Sequence, residues 1–159
     1  MNDEPFSPVA AARALLARCA TGTLATLSAD GHPFASFVTT APGGDGAPLL
    51  LLSQLAVHTR NLERNPRASL LLVEPEEEAA DPLTRSRLTI TGSVERAADQ
   101  AAAREAFLAR HPEAAGYAGF ADFAFWRLAP AACHLVAGFG RIAGLDPAEV
   151  FGGRARPAG

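Results

Sequence analysis

Residues Leu49–Glu74 read LLLLSQLAVHTRNLERNPRASLLLVE. The apolar runs at the two ends have the length and leucine content of buried strands, Leu49–Leu52 and Arg67–Glu74. Between them residues 55–65 carry polar groups at helical spacing. Asn65-Pro66 stops that helix, because the residue before a proline is pushed out of the helical region. The helix opens beside Ser53 and places His58, Thr59, Arg60 and Asn61 in its first turns. A helix start has backbone N–H groups without partners and a partial positive charge. Ser53, His58, Thr59 and Asn61 around such a start make an anion seat of the kind that takes a phosphate. The same residues also suit a plain surface helix with a polar outer face, and the stretch alone leaves both readings open.

On the N-terminal side, Ser7 can cap a helix with Pro8 in its first position, and the spacing predicts a helix over Val9–Ala20. Thr23–Ser28 reads as a strand, Ala29–His32 as a tight turn around Asp30-Gly31, and Pro33–Ala41 as the return strand. Pro42–Pro48 is expected to be a flexible loop. On the C-terminal side, Pro75–Thr84 is an acidic connector, and Arg85–Glu95 alternates as a half-buried strand does. Asp99 caps an Ala-rich helix to Arg110, a second short helix reaches Tyr117, and Asp146-Pro147 opens a last helical turn. Phe120–Leu128 and Ala132–Ile142 are expected to be the last two strands. Strands joined to neighbours by hairpins, without alternating βαβ units, point to a mainly β protein. The expected form is an antiparallel barrel of six or seven strands with peripheral helices. The chain reads as a single domain over 1–159, with flexible ends at about 1–8 and 152–159.

Composition narrows the function classes. With 159 residues, 48% of them hydrophobic, the chain can bury a sizeable core. The formal net charge is −3 and there is no basic run, which argues against nucleic acid as a partner. All 14 basic residues are arginine, so no lysine is available for a Schiff base or as a phosphate ligand. Cys19 and Cys133, at unrelated spacing and without a signal peptide, point to a reducing cytoplasm. No apolar run approaches the ~20 residues that cross a membrane. The four histidines show no metal-ligand spacing, so no metal site is expected. No serine sits in a Gly-x-Ser-x-Gly turn, no carboxylate pair can be assigned, and neither glycine-rich stretch has the strand–loop–helix setting of a phosphate loop. No catalytic acid or base can be named. That pattern favours a bound cofactor carrying the chemistry on a small-molecule substrate.

Two further groups stand out. Arg85 and Arg87 point to one side of their strand, and Arg87 could meet a phosphate or a ring carbonyl. On spacing alone a surface ion pair with the acidic run at 76–78 is the favoured explanation. Trp126 lies in an aromatic strand with Phe120, Phe123 and Phe125, which suits core packing or one edge over a flat ring ligand.

Four elements in order carry a family resemblance. They are SxLAxHTRNLxxxPRASLLL at Ser53–Leu72, GxPxAS at Gly31–Ser36, RLTITG at Arg87–Gly92, and DFAFWRLxP followed by LVAGFGR. With them the chain resembles the FMN-binding split-barrel proteins related to pyridoxamine 5′-phosphate oxidase, in the branch that includes haem-utilisation proteins of the HugZ type. The resemblance implies a split β-barrel of Greek-key type and a homodimer with a flavin at the subunit interface. It implies that Ser53, His58, Thr59 and Asn61 hold the FMN phosphate, with His58 where the family usually has a lysine. It places Ser36, Val38 and Thr39 along the flavin ring, Arg87 near the cofactor and Trp126 near the dimer interface. The activity it implies is that of an FMN-dependent oxidoreductase acting on a small molecule, but not the vitamin B6 reaction. The alternatives are a haem-binding or haem-degrading protein of the HugZ type, a deazaflavin-binding relative, and a binding protein that has kept only the fold. Haem-utilisation relatives carry a further C-terminal module that this sequence does not reach.

Overall fold

The computed structural model describes residues 4–75 and 81–152. In chain order its elements are α1 (Pro8–Arg18), β1 (Thr21–Leu27), β2 (Pro33–Pro42), β3 (Pro48–Ser53), α2 (Val57–Arg64), β4 (Arg67–Val73), β5 (Arg87–Arg96), α3 (Gln100–Arg110), β6 (Phe123–Val136), β7 (Ile142–Leu145) and α4 (Pro147–Phe151). Short 3-10 turns sit at Pro82–Thr84 and Pro112–Gly116. The Leu49–Glu74 stretch is thus β3, α2 and β4.

The strands run in the order β3-β2-β1-β4-β5-β6-β7, and β3 also pairs with β6. That last pairing closes six antiparallel strands into a barrel and leaves β7 as an extra strand on β6. The order has a local cause. Gly31 adopts a φ of 84°, which lets Ser28 N–H reach the His32 carbonyl at 2.9 Å and turns β1 back into β2. After β3, α2 carries the chain across to the far side of β1, where β4 pairs.

The barrel interior is filled by Leu24, Leu50, Leu52, Leu70, Leu72, Leu88, Ile90, Trp126, Leu128 and Leu135. A second apolar cluster lies outside the barrel, where Leu49, Leu51 and Phe125 meet Ala103 and Phe107 of α3. The four leucines of β3 therefore alternate between two cores, and the run reads as uninterrupted apolar because neither face meets water. No helix among the described residues is long and apolar enough to cross a membrane. Cys19 and Cys133 are both buried and free.

Two expectations change. The stretches 120–128 and 132–142 are not two strands: one 14-residue strand, β6, runs from Phe123 to Val136. Pro130 has no N–H to donate, but β5 absorbs it with a register shift between Thr91 and Gly92. The expected flexible loop at 42–48 is a bonded turn, with Gly43 N–H on the Ala47 carbonyl at 2.8 Å and Gly46 N–H on the Gly43 carbonyl at 2.9 Å. The acidic run at 76–78 and the end residues 1–3 and 153–159 lie outside the described residues. Ser7 caps α1 through the Ala10 N–H at 3.2 Å.

Candidate functional site

β2 and β3 pair only through Thr40–Leu50, Ala41–Leu49 and Pro42–Pro48. Beyond that point β2 stays with β1 while β3 stays with β6, so the barrel wall parts. The parting leaves a cleft of about 290 Å³ between Phe37–Thr39 on one side and Leu51–Ser53 on the other. Ala56 and His58 from the start of α2, with Tyr117 and Phe123, complete its lining.

Val38, Thr39, Ser53 and His58 are therefore brought together. Ser36 follows on β2 opposite Leu24, and its Oγ is buried without a partner. His58 is half-buried, and burial lowers its pKa from the usual imidazole value, so the ring is uncharged at neutral pH. Its neighbour Ala56 caps α2 without any side-chain bond to the first-turn amides. Ser53 Oγ is already engaged: it donates to Asp122 Oδ2 at 2.7 Å and accepts from the Leu55 N–H at 3.1 Å.

The remaining residues named from the sequence fall elsewhere. Thr59 and Asn61 are buried under α2 rather than presented to the cleft. Asn61, 1% exposed, donates to Thr26 Oγ1 at 3.1 Å and accepts from Arg64 at 2.8 Å. Trp126 is 4% exposed and belongs to the core inside the barrel. Arg87 starts β5, which β1 and β4 separate from β2, and donates to the carbonyls of Leu83 and Arg85. The sequence reading missed Phe37, Tyr117 and Asp122. Alternation could have found Phe37, since a side chain between inward Ser36 and Val38 must point outward.

Phe37 is 78% exposed and opens a broad outer sheet face. Register places Phe37, Thr23, Leu71, Thr89 and His134 in one row across β2, β1, β4, β5 and β6. The next row holds Ala35, Ala25, Ser69, Thr91 and Ala132. Neither row contains an acidic residue, a lysine or an arginine.

A closed six-stranded barrel whose wall parts beside the start of a helix defines a split β-barrel protein. The same fold is found in a pyridoxinephosphate oxidase family structure from Clostridium acetobutylicum, at a TM-score of 0.67 and 13% identity, covering 90% of this chain and 96% of that one. Residues 5–151 match the family described as CREG, beta-barrel, and the chain belongs to that family. It is similar to the non-canonical heme oxygenase HOZ of Arabidopsis thaliana, a chloroplastic protein, at 40% identity over 139 residues, which is 84% of this chain and 41% of the relative. It is also similar to a solved heme binding protein from Mycobacterium smegmatis, with a TM-score of 0.87 and 38% identity over 94% of this chain and 62% of that one. The chain thus spans about two fifths of the length of the plant relative.

Proposed function

We propose that this chain is a haem-binding split barrel of the haem-oxygenase kind, with haem as ligand and substrate at the split cleft. The observation that carries this reading is the chemistry of the cleft. An uncharged, half-buried imidazole at His58 stands among the aromatic rings of Phe37, Tyr117 and Phe123. A neutral imidazole nitrogen is a ligand type that haem iron takes, and aromatic walls suit a flat apolar macrocycle. The similarity to a haem oxygenase and to a haem-binding protein supports the same reading. Bound iron porphyrin would supply the oxygen chemistry, while the chain supplies position and exclusion of water.

FMN is the second reading, and one observation favours it: the first-turn amides of α2 have no side-chain cap and remain available to a phosphate. Against it, a phosphate there would meet the Asp122 carboxylate held on Ser53. The uncharged rows on the outer face further support a homodimer, since a second copy can cover them without burying unpaired charge.

Titration of the purified protein with haemin and with FMN tests both readings. The expected outcome is a saturable Soret band with haemin, altered in position or strength by His58→Ala. A spectrum that haemin leaves unchanged, together with flavin fluorescence that responds to the protein, would replace the haem reading with the flavin one.

A further inference from the structure

On the outer face of β1 a groove of about 470 Å³ runs between Phe37 and the segment before β5. Thr21, Thr23, Leu71 and Val73 lie along it, and Arg18 and Arg85 stand at the side away from Phe37. These two arginines belong to a chain of fixed contacts. Arg18 Nη1 meets Glu74 Oε1 at 3.0 Å. Arg85 donates twice to the Glu74 carbonyl, at 2.9 and 2.6 Å. Arg110 donates to the Arg18 carbonyl at 2.6 Å, and Arg87 to the Arg85 carbonyl at 3.2 Å.

Arg18 and Arg85 are thereby both held on Glu74, one through its carboxylate and the other through its carbonyl. Among the described residues the Glu74 carboxylate bonds only one of the two, Arg18. A backbone carbonyl orients the Arg85 side chain but cancels none of its charge, so an incoming anion would meet a guanidinium that no carboxylate neutralises among the described residues. Arg18 uses one of its five N–H donors within the described residues. A guanidinium with donors to spare suits a carboxylate in particular, because its fork matches two oxygens. The opposite wall is apolar, and Phe37 lines both this groove and the split cleft. One aromatic ring therefore joins the split cleft to an arginine-walled groove.

We propose that Arg18 and Arg85 form the acid-recognition end of the ligand site, taking the propionate carboxylates of a porphyrin whose apolar body covers Phe37. This rests on the haem reading above and adds to it the end of the ligand that the chain selects. Recognition of the acid groups needs no iron, which separates it from any role of His58.

The test titrates the full chain with protoporphyrin IX and with its dimethyl ester, following quenching of Trp126, the sole tryptophan. The diacid should bind about tenfold or more tightly than the ester, the worth of a charge-assisted hydrogen bond or more. Added salt should narrow that gap. Arg18→Ala with Arg85→Ala should bring the diacid down to the affinity of the ester and leave the ester unchanged, while Arg85→Lys should keep part of the preference. Equal affinity for diacid and ester in the unaltered protein would overturn the proposal, and that comparison depends on no variant folding. Binding of neither porphyrin would overturn the haem reading along with it, so the two failures are distinct.

Discussion

A half-buried imidazole is penalised whenever it takes a proton, because its charged form has lost part of its water. For His58 burial is the one cause of the lowered pKa, and the sign of its linkage follows. The unfolded chain binds a proton near pH 6.5 while the folded chain still resists it, so the His58 contribution is complete above about pH 6.5 and is lost as pH falls. Denaturant midpoints measured from pH 8 down to pH 5 should therefore decline below about 6.5, and His58→Gln should flatten that part of the curve. A curve of the same shape in both proteins would remove His58 as its source. Asn61 teaches the opposite lesson. Its amide belongs to a buried bond between α2 and Thr26 of β1. Asn61→Ala should cost about 2 kcal/mol of stability, read from the urea midpoint at unchanged slope. His58 could be placed from the sequence because it lies in the first turn beside Ser53. Asn61 could not, because polarity alone puts an asparagine outside, and it takes both the Thr26 hydroxyl and the Arg64 guanidinium to make its burial tolerable.

Among the elements, β3 was legible and β6 was not, for reasons of the same kind. A run of four leucines with turn residues before it and a serine after it has few other solutions than a strand covered on both faces. In β6 the segment Ala129–Ala132 contains Pro130, which locally looks like a break. What keeps it in one strand is the partner: β5 shifts register between Thr91 and Gly92, and a Cβ at Gly92 would lie 2.0 Å from the Ala129 carbonyl oxygen. That approach is to backbone, which cannot swing aside as a side chain can. β6 can then close the barrel on β3 with its first half and carry β7 with its second. Gly92→Ala should therefore destabilise by at least about 3 kcal/mol, the upper range for overpacking. Gly119→Ala, where nothing lies within 4 Å of the added carbon, should leave the melting temperature nearly unchanged. Similar melting temperatures for the two variants would mean that β5 and β6 accommodate the methyl group.

At the scale of the whole molecule, the barrel presents a sheet face that a monomer has no need to keep uncharged. Phe37, exposed at 78%, begins a row that continues through Thr23, Leu71 and Thr89, beside a row of Ala25, Ser69 and Thr91. Arg67 and Arg87 lie at the two ends of the β4–β5 pairing and not at its centre. Charge at the margin with small or apolar groups in the middle is the layout of an interface core with its rim. The proposed homodimer would meet on this face, and a two-fold contact places each central residue near its own copy or a close neighbour. A charge introduced there is then repeated on the partner and desolvated on both sides. Thr91→Glu should accordingly convert the dimer to a monomer at micromolar concentration, measured as molar mass by light scattering on a sizing column. Porphyrin affinity should fall with it, because Phe37 and the groove beside it lie on the same face and would lose the cover of the second copy. A wild-type chain that elutes at the mass of one copy at tens of micromolar would remove the dimer from the proposal and leave the cleft and groove to act within a single barrel.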